Sequence, residues 1–244
     1  MGGFANNAPI VTDGLVFYVD AGNSKSYDGV SGGTTWTDLV GGNDGTLTNM
    51  ETNPVNAGYV YDSGNGGSIS FDGTNDYTIS SDSISFVNGG QRSLEVWINP
   101  APPYGTVSQG VIWAGEASSQ KLFEILLTQN HPAETNFRVI GHYYGAGNDM
   151  GNVNSTYNVI PSQWNHIVLT QNGSTHKIYV NGSLTATKSA NITASSSGQV
   201  RIGRESWSGA DYCTAKYGVC KYYNKELSAS EVLQNYNALK NRFV

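Results

Sequence analysis

The chain is poor in cysteine, in charge and in long apolar runs, and each shortage excludes a class of protein. Its two cysteines, Cys213 and Cys220, are too few for a disulfide scaffold or for a zinc site built on cysteine. Within one extended strand a bridge between them is opposed by strand geometry, so we expect two thiols. No segment approaches the roughly 20 apolar residues of a membrane-spanning helix.

Charge is sparse and slightly acidic, with 13 basic against 19 acidic side chains and a net charge of −6. Without a basic cluster, a nucleic-acid partner is not expected. The acidic balance favours solubility and is compatible with binding a hard cation. The 15 tyrosines and 30 glycines are typical of many short strands joined by turns, and they argue against disorder.

The first twelve residues, small and polar around Pro9, are predicted to form an arm, and residues 13–244 a single domain. The arm lacks the charged start and apolar core of a signal peptide. We therefore expect a protein that stays inside the cell or leaves it by lysis or a non-classical route, with a removed signal peptide as the alternative.

Alternating or continuous apolar residues predict a series of β-strands. At residues 94–98, Leu94, Val96 and Ile98 alternate with Glu95 and Trp97, which is typical of a half-buried strand. Further strands are predicted at residues 15–19, 68–71, 77–79, 122–127, 137–140, 200–202 and 217–223, and a hairpin at 166–180.

The last segment changes to a helical period. Ser228 is the expected N-cap, and Glu231 three residues later completes a capping box. Apolar residues at helical spacing predict a helix of about three turns that ends at Asn241; they are Val232, Leu233, Tyr236 and Leu239.

Several motifs together carry a resemblance over residues 13–243. They are GLVFYVDAGN at 14–23, WTDL at 36–39, FDGTNDY at 71–77, LEVW at 94–97, YNKELSASEV at 223–232 and NYNAL at 235–239. In order and spacing they resemble the laminin-G-like, concanavalin A-like jelly roll. The resemblance implies an all-β sandwich of two antiparallel sheets with a short C-terminal helix, often a structural calcium and sometimes glycan binding.

The opening and closing motifs together are similar to the variant of this fold that tailed bacteriophages carry on their virions. Related domains also occur in secreted adhesins and in polysaccharide-degrading enzymes. One departure concerns the calcium, because many relatives have an acidic residue where Ala215 or Lys216 stands.

Catalysis is not expected. Glycoside hydrolysis needs two carboxylates across the scissile bond, but the strands at 94–98 and 122–127 offer only Glu95 and Glu124 respectively. The histidines are scattered without a nucleophile context; they are His131, His142, His166 and His176.

Polar loops supply the oxygen ligands that Ca²⁺ prefers. The candidates are Asp20, Asp38, Asn43, Asp44 and Asp76. The alternative for each of them is turn chemistry, since Asp and Asn side chains stabilise turns by bonding to nearby backbone.

Glycan binding needs exposed rings beside polar groups. Tyr143, Tyr144, Trp207 and Tyr212 lie in Gly- and Ser-rich segments and are the candidates, with a contact between subunits as an equal alternative. Trp97 and Trp164 lie in strand patterns and are expected to be structural.

These observations favour a non-enzymatic structural protein on the virion surface of a tailed phage, either a capsid decoration or a fibre component, that also adheres to host glycans. Phe4 and Ile10 would anchor the arm to capsid or tail proteins, and a homo-oligomer is compatible with this role. The alternative is an extracellular lectin module, with calcium dependence left open.

Overall fold

A computed structural model describes most of the chain. The described residues are 9–29, 33–50, 61–81, 84–85, 90–102, 107–116, 121–129, 135–144, 151–189, 197–205 and 211–244.

The described residues form β-strands, one short 3₁₀ turn at Gly64–Gly66 and one α-helix, α1 (Ala229–Phe243). The strands are β1 (Leu15–Asp20), β2 (Thr35–Trp36), β3 (Gly45–Thr48), β4 (Tyr61–Asp62), β5 (Ser68–Asp72), β6 (Tyr77–Ser80), β7 (Ile84–Ser85), β8 (Gln91–Pro100), β9 (Val107–Glu116), β10 (Lys121–Gln129), β11 (Phe137–Tyr144), β12 (Gly151–Val159), β13 (Asn165–Asn172), β14 (Thr175–Val180), β15 (Ser183–Ser189), β16 (Ser197–Ile202) and β17 (Thr214–Tyr223).

In this part of the chain the strands build two antiparallel sheets. The eight-stranded sheet has the order β15-β14-β13-β8-β17-β5-β4, and β1 also pairs with β17. The nine-stranded sheet has the order β12-β11-β10-β9-β16-β6-β3-β2, and β7 also pairs with β16. The predicted all-β sandwich with a C-terminal helix is confirmed.

The core lies between the sheets, because side chains alternate along each strand and one face of each sheet turns inward. From β8, Leu94, Val96 and Ile98 enter one cluster with Phe123 and Ile125 of β10, which belongs to the other sheet. The opposite face of each sheet is an outer face of the sandwich, and the two outer faces differ in what covers them.

The outer face of the eight-stranded sheet is covered by α1. Phe243 stacks on Trp97 with ring centroids 4.6 Å apart, and Tyr236 stacks on the same indole at 5.7 Å. The helix starts at the predicted capping box, since the Ser228 side chain accepts from the backbone of Glu231 and the Glu231 side chain accepts from that of Ser228. It continues to Phe243, two residues beyond the predicted end, because the Phe243 ring packs on the sheet.

The half-buried character predicted for residues 94–98 is wrong. Glu95 and Trp97 are as fully buried as the core side of β8, since α1 lies over them. A local pattern shows which residues alternate along a strand, but not whether a distant helix covers the second face. Two smaller predictions also differ from the structure. Trp164, expected within a strand, lies just before β13 and packs on Phe243. Leu233, expected among the apolar residues of the helix, points to solvent with 47% of its surface exposed.

Part of the predicted arm belongs to the domain. The Val11 amide donates to Asn235 of α1 at 2.7 Å, and the Tyr223 hydroxyl donates to the Val11 carbonyl at 3.2 Å. Ile10 packs against the cluster that contains Val11 and Tyr223, whereas Phe4 lies outside the described residues. Among the described residues, no helix combines the length and apolar character needed to cross a membrane.

Candidate functional site

The outer face of the nine-stranded sheet carries a row of polar and aromatic side chains at matched positions. His142 of β11 pairs with Glu124 of β10, Glu124 pairs with Trp113 of β9, and Trp113 pairs with Arg201 of β16. Because their strand neighbours Phe123, Ile125, Val200 and Ile202 are in the core, these four residues project outward.

A segment after β16 crosses β9 beside this row, at Gly110, which pairs with Leu126 of β10. A Cβ on Gly110 would lie 1.9 Å from the Glu205 backbone nitrogen, so the missing side chain lets the segment lie directly on the sheet. The Gly110 amide donates to the Asp211 carbonyl at 2.9 Å, and the Gly203 amide donates to the Val111 carbonyl at 2.9 Å. These bonds hold Glu205 above the row.

Glu205 thereby joins Glu124 and His142 in a compact cluster, which we call the Glu–His cluster. One ligand atom from each residue lies within 4.8 Å of those of the other two. His142 Nδ1 is 3.2 Å from Glu124 Oε2, and both side chains are buried. Burial, the nearby carboxylate of Glu124 and a hydrogen bond with Asp211 together raise the pKa of Glu205 to about 7, against an ordinary value of 4.5.

Two arginines with aromatic contacts lie beside this cluster. The guanidinium carbon of Arg201 is 4.8 Å from the Trp113 ring centroid. That of Arg204 is 5.0 Å from the centroid of Tyr77 and 5.5 Å from that of Tyr212. Burial and the neighbouring charge of Arg204 lower the pKa of Arg201, as expected for two cations held close together.

Of the predicted glycan-binding residues, Tyr212 lies at this site and is partly exposed. Tyr143 and Tyr144 end β11, directly after His142, and their side chains lie outside the described part of the structure. Trp207 also lies outside the described residues.

Three of the predicted calcium ligands, Asp38, Asn43 and Asp44, lie together in one turn, whereas Asp20 and Asp76 lie elsewhere. Asp38 accepts backbone N–H bonds from Tyr18, Val40, Gly41 and Asn43 at 2.9–3.1 Å. Asp44 accepts one from Asp38 itself. This is the turn chemistry that the sequence left open as the alternative, and it occupies both oxygens of Asp38.

The other two acidic candidates are engaged elsewhere. Asp20 accepts from Arg242 Nη1 at 2.7 Å and from the Gly22 amide, so it joins β1 to the end of α1. Asp76 is fully buried and accepts from the Asp72 amide at 2.9 Å within the β5–β6 turn. Calcium at these loops stays a prediction.

The outer face of the eight-stranded sheet has a cleft. Among the described residues, this face has no cluster comparable with the Glu–His cluster. A cavity of about 610 Å³ opens at one end of the eight-stranded sheet, between Asp72, Asn99, Pro102, Ser162 and Lys216. Lys216, at the position where many relatives have an acid, is paired with Asp62 at 2.8 Å. The carboxylate of Glu95 lies on this side beneath α1 and is inaccessible to a substrate.

The comparisons with known proteins agree with this architecture. Residues 71–233, more than half of the chain, match the family model of the concanavalin A-like lectin/glucanases superfamily. The chain belongs to this superfamily. No curated protein sequence matches it.

Solved structures extend the likeness of this concanavalin A-like domain to nearly the whole chain. The receptor-binding domain of botulinum neurotoxin type G is 13% identical with a TM-score of 0.62, covering 92% of this chain and 51% of that one. Trypanosoma rangeli sialidase in complex with sialic acid is 16% identical with a TM-score of 0.60, covering 98% of this chain and 37% of that one. The domain thus spans about half or less of these proteins, and at this identity the likeness shows the fold alone.

The Glu–His cluster was not predicted from the sequence. In the sequence, Glu124 is the only acidic residue of its predicted strand, and His142 is one of four histidines with no apparent partner. The β10–β11 register places the two opposite each other. A hairpin register can be inferred when the turn is known, so the sequence contains a weak indication that Glu124 and His142 pair. The sequence contains no indication that Glu205 joins them, since its position depends on a segment that crosses the sheet at Gly110.

Proposed function

We propose that this concanavalin A-like domain is a non-enzymatic carbohydrate-binding module used for adhesion, and that the outer face of its nine-stranded sheet binds an acidic sugar. The observation that carries the proposal is the pair Arg201 and Arg204. The Nε atoms of both are buried and have no hydrogen-bond partner among the described residues. Guanidinium groups next to each other need an anion, and within the described part of the chain neither forms an ion pair with a carboxylate.

The chemistry around the two arginines suits an acidic sugar. A guanidinium binds a carboxylate or sulfate through parallel hydrogen bonds. Tyr77 and Tyr212, both partly exposed, provide rings on which the apolar face of a sugar can lie. Gln199, two residues before Arg201 on β16, accepts from Arg201 Nη2 at 3.5 Å and so helps to position the guanidinium.

The experiment is binding to a glycan array that contains uronic, sialylated and sulfated sugars beside their neutral counterparts. We expect binding to acidic members that is lost in the double variant Arg201→Gln and Arg204→Gln. Lys25→Gln removes an exposed cation elsewhere and should bind like wild type. Binding that favours neutral sugars, or that survives the double variant, would contradict the arginine assignment.

The aromatic predictions are tested on the same array. Tyr212→Ala is expected to weaken binding, because Tyr212 contacts Arg204. Tyr143→Ala and Trp207→Ala test the two other predicted platforms. No signal from any glycan would favour the alternative in which these rings form a contact between subunits.

The absence of catalysis is part of the proposal, although Glu124 and Glu205 come close together. A retaining glycosidase holds its two carboxylates about 5–5.5 Å apart on either side of an accessible sugar. Glu124 has no exposed surface and lies against His142, so a scissile bond cannot reach it. Release of reducing sugar that disappears in Glu205→Gln would replace the binding proposal by an enzymatic one.

The setting of this adhesion is a second proposal, the surface of a tailed-phage virion, with capsid or tail proteins as partners. It rests on the opening and closing motifs, which contact each other: the Asn224 amide donates to the Gly14 carbonyl at 2.8 Å. Lys225 also pairs with Asp13 and Glu231 at 2.7 Å. The two motifs therefore form one structural unit.

Mass spectrometry of purified particles tests the setting. Hundreds of copies per particle are expected for a capsid decoration, and a few dozen or fewer for a fibre part. A protein that is missing from particles would instead be an extracellular lectin, and the calcium prediction would then be tested by adding a chelator to the glycan-binding assay.

A further inference from the structure

We propose that Gly110 is a positioning residue for the proposed sugar site. Because Gly110 has no side chain, a short ribbon of the chain lies directly on β9, and this ribbon brings Arg204 and Tyr212 together. The ribbon consists of residues 203–205 and 211–213. The inference rests on the proposed function, since it explains how that site is assembled.

The ribbon is a small antiparallel element that pairs two residues of the site. The Cys213 amide donates to the Gly203 carbonyl at 2.9 Å, and next to this bond Arg204 and Tyr212 form an antiparallel bridge. Residues directly opposite each other in such a pair have their side chains on the same face. The pairing therefore explains why the Arg204 guanidinium carbon lies 5.5 Å from the centroid of the Tyr212 ring.

Backbone hydrogen bonds hold the ribbon on β9. The Gly203 amide donates to the Val111 carbonyl, and the Gly110 amide donates to the Asp211 carbonyl, both at 2.9 Å. The Asp211 carbonyl also accepts from the Glu205 amide at 3.2 Å. Both strands of the ribbon are thus tied to β9 at the position of Gly110.

A side chain at Gly110 would prevent this contact. A Cβ there would overlap with backbone atoms of Arg204 and Glu205, which cannot rotate away as the end of a flexible side chain could. Since non-bonded carbon atoms prefer to lie about 3.5–4.0 Å apart, the ribbon would have to move by more than about 1 Å. Gly110 does not have a positive φ, so an alanine meets no backbone strain of its own there.

Moving the ribbon would separate the two halves of the site. Arg201 and Tyr77 belong to β16 and β6 of the sheet, whereas Arg204 and Tyr212 belong to the ribbon. Arg204 connects the two halves, because its guanidinium carbon is 5.0 Å from the Tyr77 ring centroid as well as 5.5 Å from that of Tyr212. A binding site tolerates errors of only about 0.5 Å in the positions of its groups. Gly110 therefore acts on sugar binding through Arg204.

The first test is the affinity of Gly110→Ala for acidic sugars, measured by calorimetric titration with sialyllactose, oligogalacturonate and a heparin oligosaccharide. For a probe that wild type binds, we expect binding at least about tenfold weaker, because one charge-assisted contact is lost. The control is Gly173→Ala in the turn between β13 and β14. Gly173 has a φ of 54° and no atom within 4 Å of a Cβ, so this variant should lose stability through backbone strain and bind like wild type.

A double-mutant cycle separates positioning from a general loss of stability. Arg204→Gln is expected to weaken binding strongly in the wild-type background. In the Gly110→Ala background it should add little, since Arg204 is already displaced. Effects that simply add would show that Gly110 does not act through Arg204.

Two measurements need no sugar. In wild type the Gly110 amide should exchange its hydrogen slowly, because it donates to Asp211 beneath the ribbon. Cys213 is fully buried, and burial raises the pKa of its thiol to about 12, so it should not react with iodoacetamide in wild type. In Gly110→Ala we expect Cys213 to react faster, whereas Cys220, buried in β17, should stay unreactive.

The outcomes distinguish this inference from the proposed function. Equal affinity in Gly110→Ala and wild type would overturn the positioning role and leave the sugar site standing. A wild type that binds none of the probes would contradict the proposed function, and fast exchange at the Gly110 amide would show that the ribbon does not lie on β9. If Gly110→Ala does not fold, wild type decides: a bound probe should slow exchange at the Gly110 amide, and an unchanged rate would contradict the coupling.

Discussion

At the scale of single residues, a buried carboxylate holds the covered face of the sandwich together. Glu95 lies 2.8 Å from Lys221 Nζ and 3.1 Å from His166 Nε2, and it accepts from Asn235 Nδ2 at 2.6 Å. Glu95, His166 and Lys221 lie on neighbouring strands, and Asn235 lies on α1. The Glu95 carboxylate therefore contacts both the sheet and the helix and joins them.

Replacing Lys221 with methionine is expected to destabilise the domain by about 3–5 kcal/mol, because it leaves the Glu95 carboxylate buried without its cation. The double variant Glu95→Gln and Lys221→Met removes both charges and should recover part of that loss. Urea unfolding of the wild type and the two variants measures this. A double variant no more stable than Lys221→Met would show that the charge pair is not the cause.

Low pH should weaken the interactions of the Glu95 carboxylate with Lys221 and His166. Burial alone would raise the pKa of Glu95, but Lys221 and His166 outweigh it and lower the pKa to about 2, against an ordinary value of 4.5. Since the folded-state pKa is the lower one, this stabilisation is complete above pH 4.5 and is lost as the pH falls towards 2. Urea unfolding between pH 7 and pH 3 should show this loss in wild type, and a smaller one in the double variant.

At the scale of elements, α1 is held by its last aromatic residue as well as by its cap. Phe243 lies over Gly218 of β17, where a Cβ would come within 2.6 Å of its ring. It also contacts Trp97 and Trp164 with ring centroids 4.6 Å away. The glycine creates the space, and the ring fills it.

Phe243→Ala is therefore expected to cost about 3–5 kcal/mol of stability, as for other buried aromatic residues. Leu233→Ala on the same helix is the control, and because Leu233 is 47% exposed it should change stability by no more than about 0.5 kcal/mol. Chemical unfolding of both variants compares them. Equal losses of stability in the two variants would mean that Phe243 does not anchor α1.

At the scale of the whole molecule, the sandwich has one outer face that is covered and one that carries the proposed sugar site. The helix and the segment around Val11 cover the eight-stranded sheet, whereas the nine-stranded sheet carries the arginines and the Glu–His cluster. The segment around Val11 and the proposed sugar site therefore lie on opposite outer faces of the sandwich.

Two deletions at the N-terminus test the predicted docking by the arm. Removing residues 1–12 also removes the bonds from Val11 to Asn235 and Tyr223, and we expect a lower unfolding temperature. Removing only residues 1–8 keeps these bonds and isolates the docking function of Phe4. If the shorter deletion enters phage particles at the wild-type level, the predicted docking by Phe4 is wrong.

The sequence by itself determined the fold class, most strands, the hairpin at residues 166–180 and the start of α1, because period, turn residues and the capping box act over a few neighbouring positions. Only the tertiary structure decided that Glu95 is buried and that Val11 belongs to the domain. It also decided that Glu205 meets Glu124 and His142. Each depends on contact between residues far apart in the chain, and in the last case on the absence of a side chain at Gly110.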